Sequence, residues 1–196
     1  MKERLGASME RKEDRRYIIG KNVNFTPIGL GSVGEAMKFQ ARIINGMEKK
    51  EFFTPLEPKE FIGPIKGRGG VYFLRHKHED KDELIGLAVG ACDIPGTLAE
   101  YNLPDDLPDD KVMLIDSVMV AKGYRGHGLQ LQILAKLEEE AKKLGLNGLV
   151  ATVHPENQFS LVNFEKAGYR VLHEANLHGG RRFVVVKEIS SEQSLA

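Results

Sequence analysis

The sequence predicts one α+β domain built on a mixed, mostly antiparallel twisted sheet flanked by helices. Three observations predict it. A length of 196 residues favours a single globular domain able to bury its own core. A long amphipathic helix separates two strand-like segments, Lys111–Ala121 and Gly148–Val153, and such a crossover makes those strands parallel neighbours. The other strands are joined by short turns, which imply antiparallel pairing.

The elements follow in order. Val23–Pro27 reads as a first strand. Ser32 offers a cap to a helix over Val33–Asn45, whose apolar stripe is Val33, Ala36, Met37, Ile43 and Ile44. A short helix over Glu57–Ile62 is expected to stop before Pro64. Val71–Arg75 and Glu83–Ile94 read as strands separated by a charged turn, His76–Asp82. Gly86 and Gly90 soften the second and allow a bulge. Pro95–Asp110 is loop-like. After the Lys111–Ala121 strand comes a helix with Leu129, Ile133, Leu137, Ala141 and Leu144 on one face, stopped by Gly145. Gly148–Val153 is a buried type of strand, Ser160–Ala167 a helix, and Tyr169–His173 and Arg182–Lys187 are closing strands joined at His178–Gly180. Residues 1–16 form a charged arm, 17–189 the domain, and 190–196 a loose polar tail.

Composition excludes several classes. The formal net charge is +0, without the basic excess of a nucleic-acid binder. The single cysteine, Cys92, cannot form an intramolecular disulfide, which favours a reducing, cytoplasmic setting. No apolar run reaches the ~20 residues of a membrane helix, and the N-terminal stretch lacks the apolar core of a secretory signal. Neither nucleic acid nor membrane is an expected partner.

The most specific feature is a strand that ends in a glycine-containing turn and opens a long helix, Val118 to Gln130. Glycines let backbone approach a ligand closely. The first helical amides have no partner within the helix and point, with the positive end of its dipole, into one volume. Such a turn holds phosphate or pyrophosphate. A nucleotide P-loop would need Gly-x4-Gly-Lys-Ser/Thr, which is missing, and a dinucleotide fingerprint would need a third glycine after Gly126-His127-Gly128. Arg125-Gly126-His127-Gly128-Leu129-Gln130 instead follows the pattern Gln/Arg-x-x-Gly-x-Gly/Ala, except at Gln130. A second stretch, Asn157-Gln158-Phe159-Ser160-Leu161-Val162-Asn163-Phe164-Glu165-Lys166-Ala167-Gly168-Tyr169, follows the next strand.

Together these two stretches resemble the paired motifs of the GNAT (GCN5-related) N-acetyltransferase superfamily, in the family's order. The resemblance implies splayed parallel central strands, with acetyl-CoA as acyl donor and no metal. It implies cofactor contacts from Val118, Met119 and Val120 on the strand, from Arg125, Gly126, His127, Gly128, Leu129 and Gln130 in the turn, and from Asn157 and Ser160 on the following helix. Asn157 reads equally well as a helix cap, and Ser160 as a small packing residue. The activity implied is transfer of an acetyl group to a primary amine by direct attack in a ternary complex. A small-molecule or peptide amine is the implied acceptor, and a homodimer is compatible. The alternative is a non-catalytic acyl-CoA-binding sensor or interaction module.

Acetyl transfer to an amine needs a base, a stabilised oxyanion and a tolerated leaving thiolate. Many family members place a tyrosine, as general acid, at the position of Phe164. Phe164 has no hydroxyl, so that role does not carry over. Asp116 is the candidate catalytic base, because alternation puts it on the same strand face as Val118 and Val120. A pocket carboxylate of this kind has a raised pKa. The competing reading is an exposed or paired aspartate. His154 is a second candidate base, otherwise a loop-end residue, and Cys92 reads as a buried inert thiol. Asp105, Asp106, Asp109 and Asp110 form an acidic loop that either attracts a cationic amine or is simply solvated. His76 and His78 read as part of a charged turn, not a metal site.

Overall fold

The computed structural model describes residues 23–78, 81–94 and 96–189. The arm at 1–16 and the tail at 190–196 lie outside them. Seven strands form one sheet: β1 (Val23–Pro27), β2 (Gly69–His78), β3 (Lys81–Ala91), β4 (Val112–Val120), β5 (Gly148–Val153), β6 (Arg170–Leu177) and β7 (Gly180–Glu188). Their order is β1-β2-β3-β4-β5-β7-β6. Only β4 and β5 pair in parallel. The helices are α1 (Val33–Asn45), α2 (Pro58–Lys66), α3 (Leu129–Lys143) and α4 (Gln158–Lys166).

Alternation along the strands divides the core into two layers. Tyr72 and Leu74 of β2 pack with Ile133, Leu134 and Leu137 of α3 and Leu161 of α4. Val71 and Phe73, pointing the other way, pack with Ala36 and Phe39 of α1 and Phe61 of α2. The helix pairs α1/α2 and α3/α4 therefore cover opposite faces. A third cluster, with Leu98, Tyr101 and Leu107, packs the 98–107 loop onto Leu114, Val150, Val184 and Val186.

Several boundaries differ from the sequence reading. Helix α2 runs through Pro64 and does not stop before it. Glu57 and Glu60 form a capping box at its start, and burial of Phe61 and Pro64 against the sheet offsets the lost backbone bond. Ser32 makes no side-chain cap. It belongs to a 3-10 turn that leads directly into α1. The turn expected at His76–Asp82 is mostly strand: β2 continues to His78, and His76 is buried. β3 ends at Ala91, short of Ile94.

Two register shifts interrupt the central ladders. In the second, Val89 pairs with Ser117 and Gly90 with Ile115, which leaves Asp116 as the extra residue on β4. A Cβ at position 90 would crowd the core, standing 2.7 Å from Met113 Sδ and 3.2 Å from Leu137 Cδ2. The bulge keeps Met113 and Ile115 on the α3/α4 side and brings Val118 and Val120 to that same side.

Candidate active site

The turn between β4 and α3 is built as a cradle. A 3-10 turn, Lys122–Tyr124, breaks the strand direction. Gly126 and Gly128 then take left-handed φ values of +80° and +73°, with no protein atom within 4 Å of where a Cβ would stand. The first helical bond runs from Gln132 N–H to the Gly128 carbonyl at 3.2 Å. The amides of Leu129, Gln130 and Leu131 therefore precede any partner within the helix. His127 buries Nδ1 with no partner. Arg125 turns back on the strand, its Nε donating to the Val120 carbonyl at 3.1 Å.

Beside the cradle the sheet opens. Pairing of β4 with β5 ends at Ile115 and Ala151, while β5 continues to Val153 against β7 alone. Ala121 donates its N–H to Ile85 of β3 at 2.8 Å. Backbone groups of an antiparallel strand alternate between its two neighbours, so those of Val118 and Val120 point away from β3, into the opening. Arg125 takes the Val120 carbonyl, which leaves both groups of Val118 and the N–H of Val120. An unpaired strand edge beside open glycines and free helix amides fits a ligand with an amide-bearing chain and a pyrophosphate.

A cavity of about 120 Å³ occupies the splay. Asp116, Val118, Asn157, Ser160 and Phe164 line it, together with Glu60, Tyr101, His178 and Arg182. Burial, and to a lesser degree the charge of Glu60, pushes Asp116 up to about 7. The tyrosine hydroxyl of Tyr101 lies 3.1 Å from His178 Nε2, and burial raises its pKa. Burial and the neighbouring Arg182 charge lower the pKa of His178. Phe164 is buried edge-on against Tyr169, with ring centroids 4.9 Å apart.

The structure gives the other expected residues definite places. Asn157 caps α4, its side chain accepting from the Ser160 N–H at 3.3 Å. The Ser160 hydroxyl accepts from Gln130 Nε2 at 3.1 Å. Met119 points to the opposite core from Val118 and Val120. Leu129 is buried under the first turn of α3. His154 stands outside the cavity wall. Its Nδ1 accepts the Glu156 N–H at 3.2 Å and its ring lies 4.8 Å from that of Phe52. Cys92 is buried, with its thiol pushed up to about 11, largely by that burial. The acidic loop residues are exposed and line no part of the cavity. Among the described residues, no three His, Cys, Asp or Glu side chains come close enough to hold a metal ion. Nor is any helix there long and apolar enough to cross a membrane.

Tyr101 and Glu60 went unnoticed in the sequence. The available signal for Tyr101 was its place among Leu98, Leu103 and Leu107, more large apolar side chains than a purely solvated loop would carry.

The sequence profile of the Acetyltransferase (GNAT) family matches residues 41–169. The chain belongs to the GNAT acetyltransferase family. No curated protein matches it. Among solved structures, a GNAT-family acetyltransferase from Streptococcus pneumoniae aligns with a TM-score of 0.62 at 15% identity, over 86% of this chain and 99% of that one. The Salmonella typhimurium protein yncA, solved with its cofactor acetyl-CoA, aligns with a TM-score of 0.61 at 13% identity, over 89% and 98%. A ribosomal-protein-alanine N-acetyltransferase from Brucella melitensis aligns at 0.62 and 14% identity, over 85% and 99%. At such identities the likeness establishes the fold: a single GNAT domain with a seven-stranded mixed sheet flanked by four helices.

Proposed function

We propose that this GNAT protein is an acetyl-CoA-dependent N-acetyltransferase that passes the acetyl group directly to a primary amine held in the same cavity. The observation that carries this reading is the free edge of β4, which runs from the cavity at Asp116 and Val118 toward the glycine cradle at Gly126 and Gly128. When bound, acetyl-CoA supplies an activated thioester as acetyl donor. The amides from Gly126 to Gln130 would hold its pyrophosphate, and Val118 and Val120 its pantetheine arm, as another strand would. Asn157 and Ser160 order the first turn of α4 at the cavity wall. Asp116, titrating near neutrality, takes the proton of the acceptor ammonium at its carboxylate. Phe164 contributes shape and exclusion of water but no proton.

The test is release of free thiol from acetyl-CoA across a panel of polyamines, amino acids, aminoglycosides and peptides with free N-termini. Turnover with one class identifies the acceptor. Acetyl-CoA binding without turnover on any amine would replace the enzyme reading by a non-catalytic acyl-CoA-binding module.

A further inference from the structure

The cavity has a cationic wall that acetyl transfer as such does not require. Arg182 of β7 lines it and is 6% exposed. Its Nη1 donates to the Arg181 carbonyl at 2.8 Å and its Nη2 to the Glu51 carbonyl at 3.1 Å. It forms no ion pair among the described residues. Burial alone lowers its pKa, with no acid to oppose the shift. The adjacent Arg181 behaves in the opposite way: it faces solvent and holds Glu174 through two bonds of 2.5 and 2.9 Å.

A guanidinium stays protonated even when buried, and its lost hydration is recovered only by a counter-charge and hydrogen bonds. Backbone carbonyls supply some of the bonds and no charge. A buried arginine left without an acid beside a cavity is therefore complementary to an anion that arrives with a ligand, and its planar fork matches a carboxylate. Across the cavity stand Asp116 of β4 and Glu60 of α2. Glu60 is already engaged by the Glu57 N–H at 2.6 Å. In the sheet, β5 alone separates β4 from β7. Two strand spacings, roughly 10 Å, are the least separation of their backbones, which the splay widens beyond Ile115, leaving room for one arginine side chain and one small ligand.

We propose that the acceptor amine carries its own carboxylate: an amino-acid-like zwitterion whose carboxylate sits on Arg182 and whose amine is directed toward Asp116. The position of the amine rests on the acetyl-transfer reading. The carboxylate site rests on Arg182 alone.

The test pairs each acid with its own amide. Free α-amino acids, β-alanine and 4-aminobutyrate, and their carboxamides, are titrated into the CoA-loaded protein by calorimetry and, in a separate assay with acetyl-CoA, tested for thiol release. At least one acid should bind roughly 10- to 100-fold more tightly than its amide, the worth of a charge-assisted hydrogen-bonded contact. Arg182→Gln should reduce acid binding to the level of the amide and leave the amide within about threefold, with Arg182→Lys intermediate. Should Arg182→Gln fail to fold, the acid and amide pairs on the unaltered protein decide the matter by themselves. Amides turned over as well as acids would overturn the carboxylate site and leave acetyl transfer standing. Acid-selective binding without thiol release would do the reverse. If no acid in the panel binds better than its amide, the carboxylate site is wrong.

Discussion

Gln130 of α3 accepts a hydrogen bond from Asn163 Nδ2 of α4 at 2.9 Å, and its own amide donates to the Ser160 hydroxyl at 3.1 Å. Gln130 stands where the family pattern has glycine or alanine; in the second stretch the pattern is Asn-x-x-Ala/Ser-x-x-Leu/Phe-Tyr/Phe-x-Lys-x-Gly-Phe/Tyr, and Asn163 stands at its Leu/Phe position. Both departures from the two motifs thus meet in one contact. The contact is a polar clamp between the N-terminal turn of α3 and α4.

Gln130→Ala should therefore cost stability, even though alanine is the usual family residue. Two partly buried hydrogen bonds are lost at about 1 kcal/mol each, and Asn163 is left with an unpaired amide. The check is a urea melt with a lower midpoint and an unchanged slope. Restoring an apolar pair with Gln130→Ala and Asn163→Leu together should recover part of the loss; a double variant no better than the single one would refute the clamp.

Gly128→Val tests the cradle. Its left-handed backbone costs a β-branched residue about 1–2 kcal/mol, although a Cβ there meets no protein atom within 4 Å. Acetyl-CoA affinity should fall by at least about tenfold, because the side chain fills the space a pyrophosphate needs. Gly145→Val is the control, with a φ of +68° and equal space at the other end of α3. It should carry the same strain with acetyl-CoA affinity unchanged. Equal affinities for the two variants would dissociate the cradle from cofactor binding.

Asp116 couples activity and stability to pH in opposite senses. Its pKa rises from 3.8 to about 7, chiefly through burial. As a base it works only when ionised, so turnover should rise as pH increases through about 7. Asp116→Asn should be slowest relative to the parent between that value and the pKa of the acceptor amine, and the gap should close once the amine loses its proton unaided. A parental pH–rate profile in Asp116→Asn would move Asp116 out of the reaction.

For stability the sign is reversed. A carboxyl whose folded pKa is raised favours the folded state in its neutral form. The associated stability is fully present below the unfolded value of 3.8 and is lost as pH rises to about 7. Relative to Asp116→Asn, the parent should therefore lose up to about 4 kcal/mol between those limits and then level off. Denaturant melts of both proteins from pH 4 to 8 measure it.

Phe164→Tyr asks whether a proton donor is missing. Phe164 is 4% exposed and lines the cavity. If the thiolate leaves without help, adding the hydroxyl should change kcat by less than about threefold, within the range of altered packing. A gain of tenfold or more would identify thiolate protonation as the slow step.

Most of the fold was legible because it is written in local signals. The stripe from Leu129 to Ala141, the glycine stops and the parallel crossover are properties of short segments. So is the cradle, whose glycines and helix start are adjacent in the chain. Pro64 misled because its missing N–H is a local fact, whereas burial of Phe61 and Pro64 against the sheet is not. His76 misled for the same reason: charged neighbours read as a turn, but β2 keeps its partner strand to His78.

The sequence by itself therefore determined the element order, the family and the glycine turn that opens α3. Tertiary structure decided which side chains stand opposite Asp116. Glu60, Tyr101, His178 and Arg182 lie on a helix, a loop, a turn and a strand far apart along the chain. No periodicity links them, because they meet only where β4 and β5 part. Even the bulge that leaves Asp116 unpaired exists only against a neighbouring strand, opposite Val89 and Gly90. Backbone geometry is set by neighbours in sequence, but a pocket's charge, burial and pKa are set by neighbours in space.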